Sequence, residues 1–234
     1  MAKWFIALVG LWLMPFDALA QSQDLSVELP IARPDYSASP KPLPPKPATQ
    51  IYQAACPVVL DGRAVGKIMA PLAENGCGTQ SPFRITAIRT PDRTIKLSSA
   101  IKVNCSMATA LVEWVSALDR QVEAASKSTL SKINVGTSYT CRRRNNQESG
   151  KISEHGFANA LDLTGFELGN GKTVALPSAW NTEGVAQELI KSAHKLACTH
   201  FTTVLGPQAN ALHQDHLHLD MGCHGKSCTY RVCD

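Results

Sequence analysis

Two stretches of this chain repeat their apolar residues at helical spacing. Between Ser106 and Ser126, Leu111, Trp114, Val115, Leu118 and Val122 fall three or four apart, which puts them on one stripe of a helix. Between Thr182 and Ala197, Val185, Leu189, Ile190, Ala193 and Leu196 do the same, with Thr182 placed to cap the first turn. Both stripes predict core packing. Strands are expected at 83–88, 158–166, 201–205 and 216–221, where the pattern changes from helical to alternating.

Two of these strands carry polar and apolar residues on opposite faces. Successive side chains of a strand point to opposite sides, so His216, His218 and Asp220 share one face while Leu217 and Leu219 take the other. Likewise Ala160, Asp162 and Thr164 oppose Leu161 and Leu163. Such strands predict an antiparallel sheet with its leucine face on the helices and its polar face open as a groove, an α+β plan.

The ends of the chain read differently. Lys3 precedes a short apolar run, Trp4 to Met14, then Pro15 and Ala18-Leu19-Ala20, the layout of a secretory signal over residues 1–20 with cleavage after Ala20. The run is shorter than the roughly 20 residues a spanning helix needs, so no stable membrane span is expected. Residues 21–50 hold Pro30, Pro34, Pro40, Pro42, Pro44, Pro45 and Pro47, a spacer that tends to extended polyproline geometry. The folded domain is expected over 51–234, a length suited to one compact unit.

Composition adds a compartment. Of the 234 residues, 44% are hydrophobic, and the formal net charge is +4. Apart from Arg142, Arg143 and Arg144 the basic residues are scattered, which argues against a nucleic-acid partner. Eight cysteines, with no Cys-x-x-Cys pair, predict disulfides in an exported protein rather than a cysteine zinc cluster. Cys223, Cys228 and Cys233 are expected to tie down the C-terminal tail, at least one of them to a distant partner.

Four of the seven histidines fall in two short segments, Ser153-Glu154-His155 leading to Asp162, and His213-Gln214-Asp215-His216-Leu217-His218. A catalytic zinc typically takes three His or carboxylate ligands and keeps a fourth position for water. His155, Asp162 and a histidine from a neighbouring strand supply such a set if the chain curves between His155 and Asp162.

Ser-x-His, six residues, Asp, and a later His-x-His resemble the signature of the zinc peptidases that include lysostaphin, the D-Ala-D-Ala carboxypeptidases and dipeptidases, and the Hedgehog signalling domain. The run His213-x-x-His216-x-His218 is similar to that of penicillin-insensitive murein endopeptidase. Over most of 55–234 the chain resembles bacterial extensin-like C-terminal domain proteins, through Cys141-Arg142-Arg143-Arg144-Asn145, Ser153-Glu154-His155, Ala158-Asn159-Ala160-Leu161-Asp162, and Val204-Leu205-Gly206-Pro207 leading through Asn210 to His213. The resemblance implies zinc on His155, Asp162 and His218, active-site roles for His213 and His216, and a general base at Asp215 or His216. Asp215 is preferred because a carboxylate at that spacing serves as base in the dipeptidase branch. His216 has the strand parity that faces the metal. Arg142 is a candidate grip for a substrate carboxylate, and Ser153 a candidate hydrogen-bond partner of substrate.

The expectation is a periplasmic zinc peptidase of the cell envelope that cuts amide bonds in peptidoglycan stem peptides, foremost the cross-links. The alternatives are a D,D-carboxypeptidase, a non-catalytic zinc-containing wall-binding module, and a disulfide-rich structural protein of the envelope.

Overall fold

The computed structural model describes residues 52–234. The signal and spacer expected over 1–50 lie outside the described residues. The strands, in chain order, are β1 (Ala64–Ile68), β2 (Leu72–Glu74), β3 (Cys77–Thr79), β4 (Phe83–Arg89), β5 (Thr94–Val103), β6 (Leu130–Val135), β7 (Ala160–Leu168), β8 (Thr173–Ala175), β9 (Thr203–Leu205), β10 (Leu217–Asp220) and β11 (Val232–Cys233). The helices are α1 (Pro57–Leu60), α2 (Cys105–Ser126), α3 (Ser178–Asn181) and α4 (Val185–His200).

The main sheet runs β1-β4-β5-β6-β7-β10-β9-β11, with β8 added to β7, and β2-β3 forms a separate hairpin. Most pairs are antiparallel as expected, but β5–β6 and β9–β11 are parallel. The first parallel pair follows from α2, which carries the chain across the sheet between β5 and β6 and so returns it in the same direction.

Helices α2 and α4 cover the leucine face. Met107, Leu111, Trp114, Val115, Leu118 and Val122 of α2 are buried, as are Leu189, Ile190, Ala193 and Ala197 of α4. They pack with Leu161, Leu163, Leu217 and Leu219 in one core. Trp114 donates its indole N–H to the Ala193 carbonyl at 3.1 Å, locking α2 to α4. The start of α2 is fixed by Asn104, whose side chain accepts the Met107 N–H.

The cap expected at Thr182 is not there. Residues 178–181 form the separate turn α3, Thr182 closes it by donating its N–H to the Ser178 carbonyl, and α4 begins only after Gly184. Four disulfides, Cys56–Cys105, Cys77–Cys141, Cys198–Cys233 and Cys223–Cys228, take up all eight cysteines. The tail is tied as expected, with Cys233 reaching back to Cys198 on α4.

Candidate metal centre

Strands β7 and β10 are hydrogen-bonded neighbours, and their register sets His218 directly opposite Asp162. The flanking pairs, Leu217 with Leu163 and Leu219 with Leu161, point the other way, into the core. The alternation that buries four leucines therefore turns the histidine and the carboxylate together to the open face.

His155 arrives from before β7. Residues 154–157 form a single 3-10 turn, and Ala158 ends it in the left-handed conformation at φ 53°. That reversal folds the segment back, so that His155, seven residues from Asp162 in sequence, lies beside it. Cys77 Sγ and Ile152 pack so tightly on Gly156 that a Cβ there would come within 2.8 Å and 2.7 Å of them. The Cys77–Cys141 bridge thereby supports the turn from behind.

Three donor atoms converge. His155 Nε2 is 3.2 Å from His218 Nδ1 and 3.2 Å from Asp162 Oδ1, and His218 Nδ1 is 3.1 Å from the same carboxylate oxygen. The edge of a tetrahedron whose centre lies about 2.0 Å from each corner, the usual zinc–nitrogen or zinc–oxygen length, is about 3.3 Å. The donor set fits a tetrahedral zinc by both spacing and chemistry. A second group of potential donors, His194, Cys198 and Cys233, does not qualify, because both its cysteines are in a disulfide.

The ring nitrogens that face away from the triangle are also held. The Ser138 carbonyl can only accept, so the His155 Nδ1 2.6 Å from it carries the proton and leaves Nε2 free to ligate. His218 Nε2 donates to Asp220 Oδ2 at 3.0 Å. Outer partners of this kind fix the tautomer and orientation of metal-binding histidines.

The electrostatics match. Burial alone would raise the Asp162 carboxyl, but the His155 and His218 imidazoles beside it outweigh that and hold the group far below the ordinary range. Burial alone would lower His218, yet its bonds to Asp162 and Asp220 push it up to about 9. Asp220 is lowered in turn, the bonds from His218, Thr203 and Gly222 overcoming its burial.

The profile of the family described as Extensin-like protein C-terminus matches residues 54–234. The chain belongs to that family. No curated protein and no solved structure matches it.

In this extensin-like domain Asp162 and His218 line a groove of about 470 Å³, with His155 fully buried behind them. His216 and His213 line it beside Arg142, Ser153 and Glu154. His216 Nε2 is 3.6 Å from Asp162 Oδ1, and its Nδ1 is 2.8 Å from Asp215 Oδ1. Asp215 itself is largely exposed, its carboxyl lowered first by the His216 bond. The His213 ring centroid is 5.3 Å from that of His216 and 5.8 Å from that of His218. Burial and then the two neighbouring imidazoles lower the pKa of His213, favouring its neutral form, and Asn210 Oδ1 holds its Nδ1 at 2.9 Å.

Ser153 is buried at the start of the 3-10 turn but makes no side-chain cap, and it reaches the groove wall. Arg142 is half-buried in the same wall, its carbonyl accepting the Ser153 N–H. Glu154, to which the sequence assigns no role, is fixed by Asn159 at 2.8 Å and pairs with Arg144 at 3.6 Å. Asn159 is bonded in turn to Asn104, the cap of α2. His224, which belongs to none of the sequence motifs, is brought by the fold to the groove beside Thr203. His194 and His200 lie on α4, near Trp180 and Glu113 respectively.

Proposed function

We propose that this extensin-like domain is a zinc-dependent peptidase that hydrolyses amide bonds in peptidoglycan stem peptides, foremost the cross-links, and works in the periplasm. The observation that carries the proposal is the triangle of His155, Asp162 and His218 with donor spacings of 3.1–3.2 Å, opening onto a groove. Its residues are those in which the sequence resembles the murein endopeptidases and D-Ala-D-Ala peptidases. Four disulfides accord with an exported protein. No helix among the described residues is long and apolar enough to cross a membrane.

His155, Asp162 and His218 hold the metal. A zinc ion at such a site lowers the pKa of bound water toward about 7 and polarises the scissile carbonyl. The chain's own groups do the rest. His216 Nε2 faces the triangle, so it takes the proton of the attacking water and returns one to the leaving amine. Asp215 accepts from His216 Nδ1, keeps Nε2 as the working nitrogen and stabilises the imidazolium that forms. The two candidate bases thus act in series rather than as rivals. Neutral His213 offers Nε2 as an acceptor beside the reacting centre. Arg142 grips a substrate carboxylate with its planar fork, and the Ser153 hydroxyl adds a hydrogen bond to the peptide.

The test is digestion of purified muropeptides followed by mass spectrometry. The parent protein cleaves peptide cross-links, chelator stops it, zinc restores it, and His155→Ala and Asp162→Ala are inactive. Full activity in either variant would sink the proposal, and so would a zinc-loaded protein that releases no peptide.

A further inference from the structure

The chain beyond β10 is held down in two places. Cys198–Cys233 anchors β11, which pairs in parallel with β9, and Cys223–Cys228 closes the short loop that carries His224. The result is one contact at the groove wall: His224 Nε2 lies 2.6 Å from Thr203 Oγ1. Thr203 stands opposite Asp220 in the β9–β10 register, so its hydroxyl faces the Asp220 side across the strand pair and helps hold that carboxyl below its ordinary range. Asp220 also accepts from Gly222 N–H at 2.8 Å and from His218 Nε2 at 3.0 Å.

The donors in this chain point one way. An ionised carboxylate only accepts, so the Thr203 hydroxyl, set across the strand pair from it, serves Asp220 by turning its single proton that way. The hydroxyl oxygen then has lone pairs left to accept the Nε2–H of His224. Thr203 and Asp220 are only 5% and 6% exposed, so water does not readily replace these bonds. Removing the hydroxyl leaves Asp220 short of one donor and His224 without an acceptor.

We propose that His224 and Thr203 are positioning residues that act through Asp220 to fix the His218 ring, with Nδ1 turned to the metal. The proposal rests on the metal-centre reading above. It gives the two tail disulfides a task at the groove, since the loop and strand they secure bring His224 and Thr203 together. Neither residue touches the metal or the reacting atoms.

The experiment measures zinc affinity of the purified protein by competition with a chromophoric chelator. The variants are Thr203→Val, Thr203→Ser, His224→Phe and His224→Gln. Loss of an outer partner of a metal-bound histidine costs roughly 10- to 100-fold in affinity, and Thr203→Val falls in that range. His224→Phe, one bond further out, loses about tenfold at the low end of the same range. Thr203→Ser keeps the hydroxyl and His224→Gln keeps an N–H, so both stay near the parent. Unchanged affinity in Thr203→Val and His224→Phe overturns the proposal. Conservative variants as weak as the disruptive ones overturn it too, because that pattern is plain structural damage.

A metal-free arm separates this proposal from the reading beneath it. NMR of the chelated parent shows the His218 Nε2–H protected from exchange with water, and Thr203→Val removes the protection. A parent that binds no zinc but shows that behaviour sinks the zinc reading and leaves the hydrogen-bond chain standing. A parent that binds zinc, with Thr203→Val as tight as the parent, sinks the chain alone.

Discussion

On the proposed zinc site, raising the pH through the neutral range destabilises the metal-free protein and strengthens zinc binding, and both effects come from His218. In the metal-free chain this imidazole lies between Asp162 and Asp220, and its pKa rises from 6.5 to about 9. A folded-state value above the unfolded one means the charged ring stabilises the fold fully below pH 6.5 and loses that contribution as pH climbs through about 9. The shift corresponds to about 3 kcal/mol, or a fall in Tm of roughly 6–12 °C for a domain of this size. Zinc needs the Nδ1 lone pair that the second proton occupies. At pH 7, two units below that pKa, affinity is therefore about 100-fold under its high-pH limit, and it rises about tenfold per unit toward pH 9. Thermal unfolding in excess chelator from pH 6 to 10, beside zinc titrations over the same range, measures both slopes. His218→Gln serves as the control, since its amide does not titrate and its metal-free slope is flatter. Slopes of the same sign in the parent, or a His218→Gln profile identical to the parent's, would refute the reasoning.

Two further predictions concern the groove and the core. His216→Ala lowers kcat on muropeptides by roughly 10²–10⁴ with zinc content unchanged, and Asp215→Asn does less damage. A larger loss in Asp215→Asn under the same assay would make the exposed carboxylate the base. Asp119 is buried on α2 and accepts from Arg93 at 2.6 Å, Thr90 at 3.2 Å and the Leu130 N–H at 3.3 Å. Asp119→Ala strands the Leu130 N–H, while the Thr90 hydroxyl keeps the Arg93 carbonyl at 3.2 Å. Arg93 keeps Glu123 at 3.2 Å, so the cost is near the low end for a broken buried pair, about 3 kcal/mol. Denaturant unfolding reads that loss, and a change below about 1 kcal/mol would show that Asp119 does not hold β6 to α2.

The long elements were legible because their burial is one-sided. The stripe of α2 and the alternation of β4 bury one face and expose the other, while β7 and β10 set leucines in the core against small or polar side chains on the opposite face, and these elements emerged close to their expected ends. Strand β5 was not among the expected strands although Ile95, Leu97, Ile101 and Val103 are all buried. Ser98-Ser99-Ala100 interrupts its alternation with small residues that read as a turn, and the fold accommodates them where the β4–β5 register shifts. Strands β1 and β6 escaped for a related reason. β1 buries only Ala64, and β6 buries only Leu130 and Ile133, too little apolar pattern to stand out along the chain. Thr182 failed as a cap because a Ser or Thr before an apolar stripe satisfies the sequence rule, while the competing turn at Pro177–Asn181 claims Thr182 first.

The site divides along the same physical line. Period-two alternation placed His218 and Asp162 on one face, and strand register did the rest by setting them opposite each other. His155 could join them only through a turn, and nothing in Gly156-Phe157-Ala158 announces a left-handed alanine. The outer partners were harder still. The Ser138 carbonyl is backbone, with no signature in the side-chain sequence. Thr203 meets Asp220 through a register that pairs strands 17 positions apart, and His224 meets Thr203 only after two disulfides have folded the tail back. Contacts fixed by local periodicity can be read from one strand, whereas contacts fixed by chain closure need the partner of each cysteine. That is why the three inner donors were visible in the sequence and the groups that orient them were mostly not.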